Sequence, residues 1–485
     1  MLIILSEIMT TQSRRDFLKK SIAGAGGIYL ASTGITSAVT ENRHITPKKI
    51  PFDPCRKTIT IAAADLQFER EPLLHPFGFK GGYLSELWQS VAKVQSDSGL
   101  YGIGLGIQSV LWSDSNIFSS YPESGGNALM YALTARALQI IKGMKFQTPV
   151  GLLDEIVPEL FEYGKRITAN ANLRLTFVLN ALVPVDNALW VLYARENAIT
   201  DFDELIPAPY KAAFTEKHDK LAAIPLISYN VSSADIRKEA DNGYFFMKIK
   251  IGQAGTQQEM LDKDMARLTQ IHSVLKDLRT PHTESGKLPY YFDANGRYEK
   301  KETLLRFLDH AAKLKALDQI ALIEEPFPEE KEIQVGDIPV RLAADESAHS
   351  EKDALHRIQL GYKAMALKPI AKTLSMTMKV AAVSLQKNIP CFCADLTVNP
   401  VMVEWNKNVA ARLHSFPGLK NIGLVESNGH QNYTNWEQMK TYNPAHQQSW
   451  AEVKKGFYHT SEAFFEKGGG IFDPLPHYEN LFTKK

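Results

Sequence analysis

Residues 244–368 contain, in this order, the segments FFMKIK (245–250), YYFDAN (290–295), IALIEEP (320–326), LAADE (342–346) and MALK (365–368). Each segment is a short apolar run that ends in ionisable side chains. Short apolar runs bounded by polar residues are typical of buried strands in a parallel sheet. The sequence therefore predicts five successive buried strands, each with charged groups at its carboxyl end.

The connections between these strands have the length of a strand–helix–strand crossover. Successive strand ends lie 21 to 43 residues apart, which leaves room for one helix and two loops. Residues 260–278 and 304–314 have apolar side chains at every third or fourth position, the period of a helix packed on one face. A doubly wound open sheet binds ligands between few strands, so polar groups at five consecutive strand ends favour a closed (β/α) barrel.

The same alternation of strands and helices continues on both sides of this region. Three further strands bring the predicted barrel to eight strands, and Asp395 and Glu426 lie at the ends of the last two. The further strands are predicted at 224–229, 389–393 and 422–425, and two helices at 374–386 and 400–413.

The five motifs together resemble the enolase superfamily and, within it, the subgroup of muconate lactonizing enzyme. The resemblance rests on Lys-x-Lys, Asp-x-Asn, Glu-x-Pro, Asp-Glu and a later strand-end lysine, and it covers about residues 58–440. It implies a modified (β/α)7β barrel of the TIM type with an N-terminal α+β capping domain, whose loops close over the barrel mouth. Loops 75–82 and 112–126 are the candidates for that role.

Three carboxylates at adjacent strand ends predict a metal site. Asp293, Glu324 and Asp345 would repel one another in a barrel mouth, and a cation resolves that repulsion. An all-oxygen ligand set favours Mg²⁺, with Mn²⁺ as the alternative. By the resemblance, the first glutamate of Glu-Glu-Pro is the ligand, and Asn295 and Glu346 surround the ligands without binding the metal.

By the same resemblance, Lys250 and Lys368 are the two acid/base residues and Lys248 assists them. Lys250 and Lys368 lie at strand ends on opposite sides of the predicted barrel mouth. In the family such lysines remove and return the α-proton of a carboxylate substrate through an enediolate, which the metal stabilises. Lys248 lies two residues before Lys250, so its charge is expected to lower the pKa of Lys250.

Two bases on opposite faces favour a racemase or epimerase acting on an amino-acid derivative or a dipeptide. Dipeptide epimerases, however, carry Asp-x-Asp on the last strand, whereas this chain has Glu426-Ser427-Asn428. Asp395 and Glu426 are the candidate substrate-binding residues, and the substrate stays open. The alternatives are a cycloisomerase, a syn-elimination or acid-sugar dehydratase of the same superfamily, and a non-catalytic periplasmic binding protein.

The N-terminal segment SRRDFLK (13–19), followed by a mildly apolar run to Val39, resembles a twin-arginine export signal. The resemblance predicts translocation by the twin-arginine translocase and a periplasmic protein, with Met1 or Met9 as the start. The predicted units are a signal peptide at 1–38, a flexible leader at 39–57, a capping domain at 58–175, a barrel at 176–430 and a C-terminal segment at 431–485 that packs back on the capping domain.

The composition of the chain excludes several classes of binding partner. The 55 basic and 54 acidic residues give a net charge of +1, so the chain lacks the basic surplus of nucleic-acid-binding proteins. The three cysteines show no disulfide or zinc spacing, and no membrane span is predicted after the leader. We expect a small carboxylate as the substrate, and the oligomeric state, a homo-oligomer included, stays open.

Overall fold

The computed structural model describes residues 53, 55–79 and 82–483, without the side chains of 77–79 and 82. The predicted signal peptide (1–38) and nearly all of the predicted leader (39–57) lie outside these residues.

The first domain is a four-stranded antiparallel sheet in the order β3-β2-β1-β4 with helices on one face. Its first two strands form a hairpin far longer than the sequence predicts, since β1 has 21 residues and β2 has 15. The strands are β1 (Ile59–Phe79), β2 (Gly82–Ser96), β3 (Tyr101–Gln108) and β4 (Lys145–Phe146).

Glycines in β3 let a helix lie directly on the sheet. Gly102 and Gly104 alternate on one face of β3, and a Cβ at Gly104 would lie 2.1 Å from the carbonyl oxygen of Pro184. Asn180 and Asn187 of the same helix donate from Nδ2 to backbone oxygens of β3, at 2.9 and 3.0 Å. The missing side chains and these amide bonds therefore fix the helix at Leu175–Glu196 against the sheet.

The second domain is a parallel barrel. Its ladder runs β6-β7-β8-β9-β10-β11-β12-β13-β5, and β14 adds an antiparallel edge to β5. The strands are β5 (Lys220–Ile224), β6 (Leu226–Ile227), β7 (Met247–Lys250), β8 (Tyr290–Asp293), β9 (Ile320–Glu324), β10 (Leu342–Ala344), β11 (Ala364–Leu367), β12 (Cys391–Cys393), β13 (Gly423–Glu426) and β14 (Phe457–His459).

The barrel closes at Pro225. β5 pairs with β13 and β6 pairs with β7, so one segment joins both ends of the ladder. Pro225 has no N–H to donate and divides the segment into two strands, while its carbonyl accepts from the N–H of Lys248 at 3.0 Å. The strand predicted at 224–229 is thus two shorter strands that begin at Lys220. The predicted fold class, a (β/α)7β barrel with an α+β capping domain, is confirmed.

Helices connect the strands and cover the barrel. The helix at 374–386 has the predicted bounds, and Gln257–Leu275 begins with a capping box between Thr256 and Glu259. The helices are α1 (Val110–Ser113), α2 (Ser115–Ser120), α3 (Glu123–Ile141), α4 (Pro149–Ile167), α5 (Leu175–Glu196), α6 (Phe202–Leu205), α7 (Ser233–Asp241), α8 (Gln257–Leu275), α9 (Lys301–Lys313), α10 (Glu351–Gln359), α11 (Pro369–Lys372), α12 (Leu374–Gln386), α13 (Pro400–Ala410), α14 (Gly429–Asn432), α15 (Trp436–Lys440), α16 (Glu462–Glu466) and α17 (Pro476–Glu479).

Helix α5 is the central helix of the interface between the two domains. Among the described residues, it is the one helix long and apolar enough to cross a membrane, with a mean hydropathy of 1.6. Its apolar 18-residue stretch is nevertheless 94% buried within the protein. Asp186 of α5 accepts hydrogen bonds from the N–H and the hydroxyl of Ser375 in α12. Burial raises the pKa of Asp186 to about 6, and these donors limit the rise. The helix is therefore a core element that ties capping domain and barrel together.

The C-terminal segment contacts the long hairpin of the capping domain. Tyr433 bridges to Leu73, and the N–H of Thr434 donates to the carbonyl of Pro72 at 3.1 Å. Nε2 of His477 lies at hydrogen-bond distance, 2.9 Å, from Oε2 of Glu69. These contacts hold the hairpin over the barrel mouth. The domain boundaries given from the sequence remain predictions.

Candidate active site

Side chains from most barrel strands meet in a cavity at the carboxyl ends of the strands. Eight of the ten predicted site residues line it: Lys248, Lys250, Asp293, Asn295, Asp345, Lys368, Asp395 and Glu426. Glu324 and Glu346 lie behind this lining and are 0% and 3% exposed. The strand ladder explains the grouping, because Lys250 pairs with Asp293 and Asp293 with Glu324.

Lys248 lies at the centre of the carboxylates. Its Nζ lies 3.0 Å from Oδ2 of Asp293, 3.0 Å from Oε1 of Glu324 and 3.3 Å from Oε2 of Glu426. Burial opposes the charge, but these carboxylates outweigh it and hold the pKa of Lys248 well above its ordinary value. Lys248 therefore places a buried positive charge among the acids of three strands.

Lys250 is the more accessible lysine of this strand. Its side chain is 13% exposed, and its Nζ donates to Oδ2 of Asp293 at 2.7 Å and to Oδ1 of Asn295 at 2.5 Å. Asn295 is held in turn, because its Nδ2 donates to Oε1 of Glu346 at 2.9 Å. Glu346 and Asn295 thus fix the amine of Lys250 at the cavity wall.

Lys368 reaches the cavity from the end of β11, four strands along the ladder from β7 and Lys250. Its Nζ donates to Oδ2 of Asp345 at 2.6 Å. Burial lowers the pKa of Lys368, but the Asp345 charge outweighs burial and raises it above its ordinary value. The ring of Trp112, from the capping domain, lies 4.4 Å from the same Nζ.

Lys372 is a site residue that sequence reasoning missed. Its Nζ donates to the carbonyl oxygen of Asp345 at 2.5 Å and to that of Ala348 at 3.1 Å, and it lies 3.4 Å from Oδ1 of Asp345. The only sequence signal is its spacing of four residues from Lys368, which places both on one side of a helical turn. Two ammonium groups therefore bind Asp345, and they hold its pKa well below the ordinary range although burial opposes this.

Glu324 has the most perturbed environment of the acids. Tyr291 donates from its hydroxyl to Oε2, and Lys248 donates to Oε1. Burial raises the pKa of Glu324 to about 8, and the neighbouring charges of Asp345 and Glu426 add to the rise. Glu325 points away from the cavity, since its Oε2 accepts from the N–H of Asp345 at 2.7 Å. The two adjacent glutamates therefore have separate roles.

The acidic residues fit a hard divalent cation. Oxygens of Glu324, Asp345 and Glu346 lie within 4.8 Å of one another, and Oε2 of Glu346 is buried without a hydrogen-bond partner in the described part of the chain. Six buried carboxyl groups lie at the strand ends around the cavity, beside four lysines. A divalent cation would supply positive charge to this acid-rich site, and oxygen-only donors suit Mg²⁺. The carboxyl groups are those of Asp293, Glu324, Asp345, Glu346, Asp395 and Glu426, and the lysines are 248, 250, 368 and 372.

Asp395 and Glu426 follow β12 and end β13, and both accept hydrogen bonds from the backbone. Oδ1 of Asp395 accepts from the N–H of Leu396 at 2.7 Å, and its Oδ2 accepts from the N–H of Asn428 at 2.8 Å. Burial raises the pKa of Asp395 to about 7, and the Glu426 charge adds to this. Asp395 therefore shapes the loop around the cavity as well as lining it.

The capping domain supplies an apolar wall. Leu73, Leu84, Leu87, Leu111 and Trp112 line the cavity opposite the strand ends. The hairpin stem contributes the first three, so the predicted loop at 75–82 contributes none of the lining among the described residues. The predicted loop at 112–126 contributes Trp112.

Comparison with known families matches the barrel. Residues 233–471 match the family model described as enolase C-terminal domain-like. This segment is similar to the C-terminal domain of enolase-superfamily proteins. No curated protein sequence matches the chain significantly.

Solved structures match over both domains. A mandelate racemase/muconate lactonizing enzyme from Roseiflexus sp. is 16% identical with a TM-score of 0.58, over 85% of this chain and 98% of that one. An N-succinyl Arg/Lys racemase from Bacillus cereus is 17% identical with a TM-score of 0.55, over 77% and 89%. A dipeptide epimerase from Enterococcus faecalis is 16% identical with a TM-score of 0.52, over 76% and 90%. At these identities the likeness concerns the fold.

Proposed function

We propose that this protein is a divalent-metal-dependent racemase or epimerase that moves the α-proton of a carboxylate substrate between its two faces. One observation carries the proposal. Lys250 and Lys368 reach the same cavity from the ends of β7 and β11, and the acids of the three intervening strands lie between them. A binding protein has no need of two such amines, whereas proton transfer between opposite faces requires both.

Asp293, Glu324 and Asp345 are the residues that would hold the metal, and Mg²⁺ is the proposed ion, with Mn²⁺ as the alternative. When bound, the ion supplies positive charge that stabilises the negative charge developing on the substrate carboxylate. Lys248, whose ammonium group lies 3.0 Å from both Asp293 and Glu324, adds positive charge beside them.

The two lysines divide the proton transfer. One of them, as the neutral amine, takes the α-proton, and the other, as the ammonium ion, gives a proton to the opposite face. After one turnover their protonation states are exchanged, so the reverse reaction uses the same pair. Asp293 and Asn295 hold the amine of Lys250 in place, and Asp345 holds that of Lys368. This fixed geometry would place one amine on each face of the α-carbon of the substrate.

The cavity wall favours an amino-acid derivative or dipeptide with an apolar side chain. Leucines of the capping domain face the strand ends, and burying an apolar group against them releases water. Asp395 and Glu426 are the proposed contacts for polar groups of the substrate on the barrel side.

Proton NMR in D₂O with Mg²⁺ tests the function. Pools of N-acyl amino acids, dipeptides and sugar acids are incubated with the protein, and loss of the α-proton signal is followed. Exchange with formation of both stereoisomers supports the proposal. New vinyl or ring signals would instead identify elimination or cycloisomerisation, and absence of exchange in every pool would favour a binding protein.

We also propose that the protein is exported by the twin-arginine translocase to the periplasm. The support is the sequence SRRDFLK at 13–19 and the apolar run behind it. Replacing both Arg14 and Arg15 by Lys is expected to leave the full-length precursor in the cytoplasm, as measured by fractionation. Unchanged export would contradict the proposal.

A further inference from the structure

Trp112 belongs to a short segment that is fixed on the capping domain. The segment begins at Ser109, whose N–H donates to Oδ1 of Asn180 in α5 at 3.0 Å. It ends at Asp114, whose Oδ2 accepts from the N–H of Arg174 at 3.0 Å. Trp112 itself is 8% exposed, so its indole is held at one place against the cavity.

The face of this indole lies over Lys368. The Nζ of Lys368 lies 4.4 Å from the ring of Trp112 and 2.6 Å from Oδ2 of Asp345. Lys372 lies further from the ring, at 5.7 Å. An aromatic face attracts an ammonium group. The amine of Lys368 is therefore held between a carboxylate of the barrel and a ring of the capping domain.

The N–H group at the edge of the same indole lacks a hydrogen-bond partner among the described residues. Nε1 of Trp112 is buried and has no hydrogen-bond partner among the residues that the structure describes. Two other buried tryptophans have one: Nε1 of Trp190 donates to Ser375 at 3.1 Å, and Nε1 of Trp88 donates to Glu86 at 3.0 Å. Buried N–H donors are rarely left unpaired, and this one belongs to a residue that lines the cavity.

We propose that Trp112 is a positioning residue for Lys368 and a specificity residue that donates from Nε1 to a carbonyl oxygen of the substrate. The inference rests on the proposed two-base function and deepens it, since it selects carboxylates with an acyl or peptide carbonyl near the α-carbon. The ring positions one base only, so its loss affects one face of the α-carbon.

The test uses the separate enantiomers of N-acetylleucine, with Mg²⁺ in D₂O and the full chain. Initial deuterium uptake is measured for each enantiomer with the unaltered protein and with Lys250→Ala and Lys368→Ala, which identify the enantiomer that each lysine serves. Trp112→Leu removes ring and donor together, while Trp112→Phe keeps a ring and removes the donor. Trp88→Leu is the matched control, because Trp88 stacks on Phe68 in the same domain and does not line the cavity.

Trp112→Leu is expected to lower uptake by the Lys368 enantiomer about tenfold more than uptake by the other enantiomer. Trp112→Phe is expected to keep this ratio near the unaltered value and to raise KM for both enantiomers about threefold to tenfold. The ratio of the two uptake rates, measured with one preparation of a variant, does not depend on the fraction of that protein that is folded. Trp88→Leu is expected to leave both the ratio and KM unchanged.

An equal effect of Trp112→Leu on both enantiomers, or an unchanged KM in Trp112→Phe, would overturn the inference while leaving the two-base function intact. So would exchange confined to sugar acids, which have no acyl or peptide carbonyl near the α-carbon. If neither lysine variant discriminates between the enantiomers, the proposed function itself fails.

Discussion

The hydroxyl of Tyr291 donates a hydrogen bond to Oε2 of Glu324 in the middle of the acidic cluster. Both residues are fully buried, and Lys248 binds the other oxygen of the same carboxylate at 3.0 Å. Tyr291 therefore sets the orientation of a proposed metal ligand, although sequence reasoning treated it as part of an apolar strand.

Replacing Tyr291 by Phe is expected to weaken metal binding about tenfold, because a ligand that loses its supporting hydrogen bond is less well oriented. Titration calorimetry with Mn²⁺ measures the affinity directly. Tyr290→Phe is the matched control, since the neighbouring Tyr290 bonds His272 at 2.9 Å and does not reach the acids. Equal metal affinity in the two variants would contradict the role given to Tyr291.

The raised pKa of Glu324 predicts how stability depends on pH without metal. Burial raises this pKa from 4.5 to about 8, so the folded protein holds a proton that the unfolded chain releases. That contribution to stability is fully present below about pH 4.5 and is lost as the pH rises towards 8. The metal-free protein is therefore expected to be less stable at pH 8 than at pH 6, by an amount on the order of a few kcal/mol.

Urea unfolding at pH 6 and pH 8, in EDTA and in Mg²⁺, measures this dependence. Mg²⁺ is expected to remove most of the difference, because the cation takes over the role of the proton. Greater stability at pH 8 than at pH 6 in EDTA would contradict the charge balance described for the cluster.

Because β3 and α5 lie very close together, adding a single methyl group at Gly104 is expected to lower the stability of the protein severely. In Gly104→Ala the new Cβ would lie 2.1 Å from the carbonyl oxygen of Pro184, and the backbone has to shift, at a cost of about 3 kcal/mol. Thermal unfolding followed by circular dichroism measures the loss. Gly125→Ala is the matched control, since its Cβ meets only ordinary contacts at 3.4 Å within α3, where alanine favours the helix. A similar Tm for both variants would show that α5 does not lie directly on the sheet.

The barrel and most site residues could be predicted because they follow local rules. Segments such as YYFD and MKIK combine a buried strand with a polar end, and a parallel barrel brings all such ends to one face. Lys372 could not be predicted in the same way, because its partners are backbone carbonyls that only the folded turn places together.

The capping domain was harder to predict. Trp112 and Leu84 reach the cavity only through the docking of one domain on the other, and no local pattern encodes that docking. The length of β1 was not predicted, because residues 62–74 mix polar and apolar side chains without strict alternation and are mostly exposed or half-buried, so no buried face marks them as a strand. Asp395 was predicted as a substrate contact, and its backbone bonds show that part of its polar capacity serves the loop.

The two-lysine mechanism is the central claim, and single-enantiomer exchange in D₂O tests it most directly. Each enantiomer of a substrate found by the NMR screen is incubated with Mg²⁺ and with the unaltered protein, Lys250→Ala or Lys368→Ala. Lys352→Ala, at an exposed helix position, serves as the control for folding and handling.

We expect the unaltered protein to exchange both enantiomers and each active-site variant to exchange only one, the opposite one in each case. Racemisation itself is expected to fall at least about a hundredfold in both variants, as is usual when a general base is removed. Exchange of both enantiomers at the unaltered rate by either variant would contradict the two-lysine mechanism.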